Sequence, residues 1–278
     1  MDLGLQDKVA LIAGGSSGLG LAVASELAAE GANVAIAARD RARLEEAERY
    51  LKGVARGRVS ATSVDITEPD AARRWVDEIA AGMGALHIVV VSGGSPPAGR
   101  APQFRLSDYQ AAIGSMVFPA VGLALAALPH LRAAGWGRLL FVASETASVP
   151  IPSLALSGMG RVALVRFAQA LAAEVGLDGV TVNVLAPSAT RTQMVERAAA
   201  RLAALTPDGN IEAQLRAMGQ HNAVGRIARP AEFAAVAAFL ASERASFVTG
   251  QVHLIDGGAS VMGPELAHFS DVPRDTYT

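Results

Sequence analysis

Short apolar runs alternate with amphipathic segments along nearly the whole chain. Val9 to Ala13 reads as a buried strand, and a glycine-rich turn then leads into a helix running to about Glu30. Gly31 follows where a left-handed C-cap is expected. Asn33 to Ala38 predicts a second strand, and Arg41 to Lys52 a charged helix. Val59 to Val64 predicts a third strand, ending at Asp65. Thr67, Glu68 and Pro69 then open a helix in the order of cap and early proline. Leu86 to Val91 is almost all Val and Ile, as befits a strand buried on both faces. A long helical region covers about Ser107 to Ala133, with a fifth strand at Arg138 to Val142. A helix over Ser153 to Val175, a sixth strand at Val180 to Leu185, a helix over Pro230 to Ser242 and a seventh strand at Gln251 to Ile255 complete the series. This alternation predicts an α/β fold, a Rossmann-type doubly wound parallel sheet of about seven strands with helices on both faces. Residues 1–260 are expected to form a single domain. Two stretches break the pattern: 190–222, where a substrate lid is expected, and 261–278, a polar C-terminal tail.

Composition narrows the function classes. Hydrophobic residues make up 51% of the 278, which excludes a disordered chain. Lys and Arg total 24 against 26 Asp and Glu, so there is no basic footprint and no nucleic-acid partner is expected. The absence of cysteine excludes disulfides and thiolate metal sites, and the five histidines lack ligand spacing, so no metal is expected. The start, MDLGLQDKVA, lacks a signal-peptide layout, and a cytoplasmic location is expected. Ile113 to Leu131 is the longest apolar stretch, and length alone would allow a membrane span. It contains Pro119 and Pro129 and sits inside the β/α alternation. A helix buried in the core or at a subunit interface is the better reading, with no membrane partner.

The first β/α turn carries the chemistry. It reads Ala13-Gly14-Gly15-Ser16-Ser17-Gly18-Leu19-Gly20, a GxxxGxG spacing between a buried strand and an Ala-rich helix. Glycines let the backbone approach a pyrophosphate closely, and the N–H groups of a helix N-terminus complement its charge. A dinucleotide is therefore the expected cofactor. At the end of the second strand, NAD-binding chains place an acidic residue for the ribose hydroxyls, whereas this chain has Ala37-Ala38-Arg39. A guanidinium there suits a 2′-phosphate, so NADP(H) is preferred and NAD(H) is the weaker candidate.

From about Gln6 to Ser260 these residues resemble the classical short-chain dehydrogenase/reductase family, with 3-oxoacyl-acyl-carrier-protein reductases as the nearest look-alikes. The resemblance rests on the glycine turn (Gly14, Ser16, Ser17, Gly18, Leu19, Gly20), Asp65-Ile66, Ser92-Gly93-Gly94 and Asn183 with Pro187 and Thr192. Val224-Gly225-Arg226, Arg229-Pro230 and Asp256-Gly257-Gly258 extend it, while Ser188 replaces a usual glycine. It implies that Asp65 and Ile66 contact the adenine, and that Ser92, Gly93, Gly94, Arg161, Pro187, Thr190 and Thr192 complete the cofactor site. It also implies a homotetramer or homodimer built on the helices over Ser107 to Ala133 and Ser153 to Val175.

The family works with an Asn, Ser, Tyr and Lys tetrad. Ser144 matches the serine, but the tyrosine and lysine positions are Ser157 and Arg161, and the asparagine position is Met116. The chain is similar to a minority subgroup with Ser and Arg at those two places. Ser144, Ser157 and Arg161 are thus the candidate catalytic residues. A Ser hydroxyl is a far weaker acid than Tyr, and an Arg does not readily give up a proton. Proton delivery then falls to water, to Glu145, to the substrate, or to His221 in the lid segment. The leading expectation is an NADP(H)-dependent oxidoreductase acting on a small-molecule carbonyl or related acceptor. The alternatives are a non-redox dehydratase, isomerase or cyclase on the same scaffold, and a silent NADP(H)-binding or regulatory subunit.

Overall fold

The computed structural model describes residues 2–207, 209–220 and 222–262. His221 and almost all of the tail, two places singled out from the sequence, lie outside the described residues. The strands are β1 (Val9–Ala13), β2 (Asn33–Ala38), β3 (Val59–Ser63), β4 (Ile88–Val91), β5 (Gly137–Val142), β6 (Val180–Pro187) and β7 (Val252–Ile255). The α-helices among the described residues are α1 (Gly18–Ala29), α2 (Arg41–Val54), α3 (Pro69–Met83), α4 (Leu106–Met116), α5 (Phe118–Ala133), α6 (Ala155–Val175), α7 (Gln193–Ala203), α8 (Ile211–Gly219) and α9 (Pro230–Leu240).

All seven strands form one parallel sheet in the order β3-β2-β1-β4-β5-β6-β7. A strand buried on both faces can be uniformly apolar, and β1, β4 and β5 are buried at every position. One core joins Trp75 and Val76 of α3, Leu123 and Ala127 of α5 and Leu164 of α6 to one face of the sheet. The other joins Val23 and Leu27 of α1, Leu44 of α2 and Phe233 of α9 to the opposite face. Strand order reverses between β1 and β4, and at such a switch point the carboxyl ends of the strands leave a crevice.

Several boundaries differ from the sequence reading, each for a local reason. The helical region expected over Ser107 to Ala133 is two helices meeting at Val117. Pro119, in the first turn of α5, disfavours helical backbone in the residue before it and cannot donate to the preceding turn. By length and composition Leu106–Ala133 could cross a bilayer. Here Leu123, Ala124, Ala127 and Leu131 of α5 are fully buried in the core. Thr67 does not cap α3: its N–H and hydroxyl both donate to Asp65, and Glu68 is the N-cap residue. The helix opened by Pro230 stops at Leu240, because the Ser242 hydroxyl caps the next short turn by accepting from Arg244. Residues 190–222, where a substrate lid was expected but no helices were, include α7 and α8.

Candidate active site

The glycine turn sits at the switch point and is tightly enclosed. A Cβ on Gly14 would overlap the Ser92 carbonyl, and one on Gly20 would overlap the Gly14 carbonyl. Only glycine lets β1, the β4 end and α1 close together here. The N-terminus of α1 is uncapped: Ser17 makes no side-chain cap bond and the first turn holds no acidic residue. The N–H groups of Gly14 and Gly15 are used by the Ala37 carbonyl, while those of Ser16 to Gly20 have no backbone partner among the described residues. A row of unpaired donors at a helix N-terminus fits a pyrophosphate.

Arg39 extends from the end of β2 with its side chain 77% exposed and a guanidinium nitrogen 3.9 Å from Asp65. The hydrogen bond from the Thr67 N–H to Asp65 holds that carboxyl below its ordinary pKa, with the Thr67 hydroxyl and Arg39 acting in the same direction. Asp65 is turned to Thr67, so Arg39 is held only loosely. Thr192 caps α7 by accepting from Val195, and its methyl would lie 3.6 Å from a Cβ on Gly18, over the glycine turn. Thr190 is buried and donates its hydroxyl to the Ser188 carbonyl. Pro187 ends β6 beside Ile255. Ile66 packs against the core at the edge of the crevice.

The reacting end lies across the crevice. Ser144 follows β5, and its Oγ accepts the Thr146 N–H at 3.3 Å, which leaves the hydroxyl proton free to donate. Ser157 and Arg161 lie one turn apart on the same face of α6. The placement of Arg161 was not legible in the sequence. Its guanidinium is buried and donates to the carbonyls of Val142 (3.0 Å), Gly93 (3.3 Å) and Gly94 (2.5 Å), while its Nε has no partner. Burial lowers its pKa to about 10, so it remains charged at neutral pH. The role visible in the fold is a clamp between the Ser92-Gly93-Gly94 loop and β5.

Met116 is buried and wedged between that loop and α6, where a Cβ on Gly94 would lie 2.5 Å from its Cγ. Two further groups carried no assigned role in the sequence reading. Asp256, after β7, accepts from Gly258 N at 3.0 Å and Ser260 N at 2.9 Å, and Ser188 has a buried hydroxyl without a partner. The Asp-Gly-Gly signature and the serine in place of a glycine were the available signals. A cavity of about 830 Å³ is lined by Pro102, Thr146, Ile151, Met159 and Val162. Met159 and Val162 point away from Ser157 and Arg161 round α6.

A family model described as enoyl-(acyl carrier protein) reductase matches residues 13–260. The chain belongs to the short-chain dehydrogenase/reductase family. Within that family it resembles meso-2,3-butanediol dehydrogenase of Serratia marcescens, 29% identical over 254 residues that cover 91% of this chain and 95% of the relative. It also resembles cis-4-hydroxycyclohexanecarboxylate dehydrogenase of Sinomonas cyclohexanicum, 31% identical over 257 residues covering 91% and 96%. The crystal structure of L-sorbose reductase from Gluconobacter frateurii, complexed with NADPH and L-sorbose, superposes with a TM-score of 0.89 at 32% identity, covering 94% of this chain and 99% of that one. The chain is thus a short-chain-type oxidoreductase by family, with a nicotinamide dinucleotide as its cofactor class.

Proposed function

We propose that this protein is an NADP(H)-dependent oxidoreductase that interconverts a carbonyl and a secondary alcohol on a small molecule, with an altered set of reacting residues. The observation that carries the reading is the uncapped N-terminus of α1, enclosed by Gly14 and Gly20 and opening on the crevice that also holds Ser144. When bound, the cofactor supplies or accepts a hydride. The N–H groups from Ser16 to Gly20, with Gly18 and Leu19 between, hold the pyrophosphate, and Arg39 holds the 2′-phosphate. Asp65 and Ile66 border the adenine. Ser92, Gly93, Gly94, Pro187, Thr190 and Thr192 line the nicotinamide half.

Ser144 hydrogen-bonds the substrate oxygen through its free hydroxyl and orients it. Arg161 fixes the Gly93-Gly94 loop and places a positive charge where negative charge grows on that oxygen. Ser157 leaves open the space a tyrosine would fill, which enlarges the cleft. The substrates named for the relatives, butanediol, a hydroxycyclohexanecarboxylate and sorbose, are secondary alcohols or a ketose, and this supports a hydroxylated ketone over an acyl-carrier thioester. The Ser and Arg pair marks a subgroup of the family.

Residues 190–222 act as the lid. Arg191 ties α7 to α8 through Glu196 and Glu212, and Ser95 reaches Met194 across the cleft at 3.5 Å. Residues 1–260 work as one domain. The exposed apolar side chains Phe118 and Leu125 on α5 and Met159 and Val162 on α6 form the contact of a homodimer or homotetramer.

Titration of the purified protein with NADPH and NADH tests this reading. Binding of the order of micromolar with a clear NADPH preference is expected. Failure to bind either nucleotide would remove it.

A further inference from the structure

The sheet order sets the ends of β5, β6 and β7 side by side, and with them Glu145, Ser188 and Asp256. Glu145 follows Ser144 directly and opens the short turn between β5 and the approach to α6. It is partly buried, and its carboxyl has no hydrogen-bond or salt-bridge partner among the described residues. After the neighbouring strand β6, the Ser188 hydroxyl is buried and unpartnered. Asp256 is buried and pinned as a carboxylate by two backbone N–H groups. The charged group on the neighbouring face of α6 is Arg161, whose terminal nitrogens are turned to the carbonyls of Gly93, Gly94 and Val142. Among the described residues no ion pair answers Glu145, and Asp256 at the end of β7 acts on it with a negative charge.

We propose that Glu145 exchanges a proton with the substrate oxygen, the task the family gives to a tyrosine and for which Ser157 is too short and too weak an acid. The proposal rests on the oxidoreductase reading above and adds the missing proton donor. Its chemistry balances. In reduction, hydride from a reduced nicotinamide dinucleotide bonds to the carbonyl carbon, and the carbon–oxygen π pair moves to oxygen. The Oε–H bond of Glu145 breaks as the new O–H bond forms, and the carboxylate regains its proton from water. In alcohol oxidation the carboxylate takes the proton instead. Burial, and then the Asp256 charge, push the Glu145 carboxyl up to about 7, where both directions are served near neutral pH. Burial pushes Asp256 upward too, but the bonds from Ser260 and Gly258 outweigh it and hold that carboxyl below its ordinary value.

The primary test needs no turnover. Infrared difference titration of the nucleotide-free full-length protein should show a carboxyl group losing its proton near neutral pH. It should be absent in E145Q and move to lower pH in D256N, with NADPH affinity unchanged in E145Q. A Glu145 carboxyl that titrates in the ordinary range below 5 would overturn the proposal. With NADPH and a panel of hydroxylated ketones, E145Q should lower kcat about 10²-fold or more, leave KM nearly unchanged and flatten the pH profile, while E145D keeps part of the rate. An E145Q enzyme with wild-type kcat and pH profile would also overturn it. If the wild type reduces no acceptor, the oxidoreductase reading falls, and the infrared titration alone decides whether Glu145 holds its proton at neutral pH.

Discussion

Met116 and Gly160 share one space: the ε-methyl of Met116 lies where a side chain on residue 160 would begin. Met116 belongs to an apolar cluster with Ala112, Val117 and Leu156, so the family's asparagine position here packs α4 against α6 and carries no proton. An M116N variant, which restores the family residue, should lose about 1–3 kcal/mol, because its amide is buried without a partner, and should not gain turnover. Urea denaturation with kcat on the same preparation checks both. G160A should be better tolerated in an M116A background than in the wild type, by about 1 kcal/mol or more, since the overlap is gone and the alanine's helix preference remains.

Arg161 is held by geometry that lysine cannot copy. Its terminal nitrogens reach carbonyls on two elements at once, whereas an ammonium on a flexible stem satisfies fewer of them. R161K should cost about 1.5–3 kcal/mol, the worth of one hydrogen bond to a charged group. Because the clamp fixes the Gly93-Gly94 loop, NADPH affinity should fall as well. A stable R161K protein with wild-type affinity would show that the loop holds its place unaided.

Those two positions show what the sequence could and could not reveal. Strand periodicity and the glycine spacing placed all seven strands and the glycine turn within a few residues, because a doubly buried strand and a turn without room for Cβ leave direct marks in residue type. The exchange of Tyr and Lys for Ser157 and Arg161 was equally visible. What their side chains touch was not, because Arg161 is satisfied by backbone carbonyls, which have no sequence identity. Glu145 and Asp256 stand 111 positions apart and come to the same edge of the fold only through the order of β5, β6 and β7. The helices of 190–222 were hidden because α7 and α8 bury little beyond Ala199, Ala203 and Leu215, too sparse a stripe to read.

Arg39 should decide between the two nicotinamide dinucleotides. Its guanidinium is exposed and only weakly engaged by Asp65, so a 2′-phosphate meets little competition. R39Q should weaken NADPH binding about tenfold, the equivalent of one charge-assisted hydrogen bond of about 1.4 kcal/mol, and leave NADH binding unchanged. Added salt should narrow the NADPH preference of the wild type, because the pair is solvent-screened. Equal losses for both nucleotides in R39Q would place Arg39 away from the phosphate.

At the opposite end of the sheet, His87 makes stability depend on pH without touching the crevice. Its Nδ1 accepts the Val9 N–H at 3.0 Å, so the folded state requires that nitrogen unprotonated. Its ring meets Trp136 edge-on, and Lys8 and Arg138 stack on that same indole at 4.2 and 3.9 Å. Burial first, and then the Lys8 charge, lower the His87 pKa below its ordinary 6.5. The sign follows from linkage. Below about pH 6.5 the unfolded chain takes up a proton that the folded chain refuses. The stabilisation is therefore complete above that pH and is lost as the pH falls, by up to about 1.4 kcal/mol per pH unit for one proton. In H87N an amide oxygen can accept the same N–H but does not titrate, so the fall in urea-unfolding free energy between about pH 6.5 and 5 should be shallower than in the wild type. Burial lowers the pKa of His253 as well, so some slope should remain in H87N. An H87N protein with the full wild-type slope would assign the acid sensitivity to His253 and leave the Val9–His87 bond neutral in the balance.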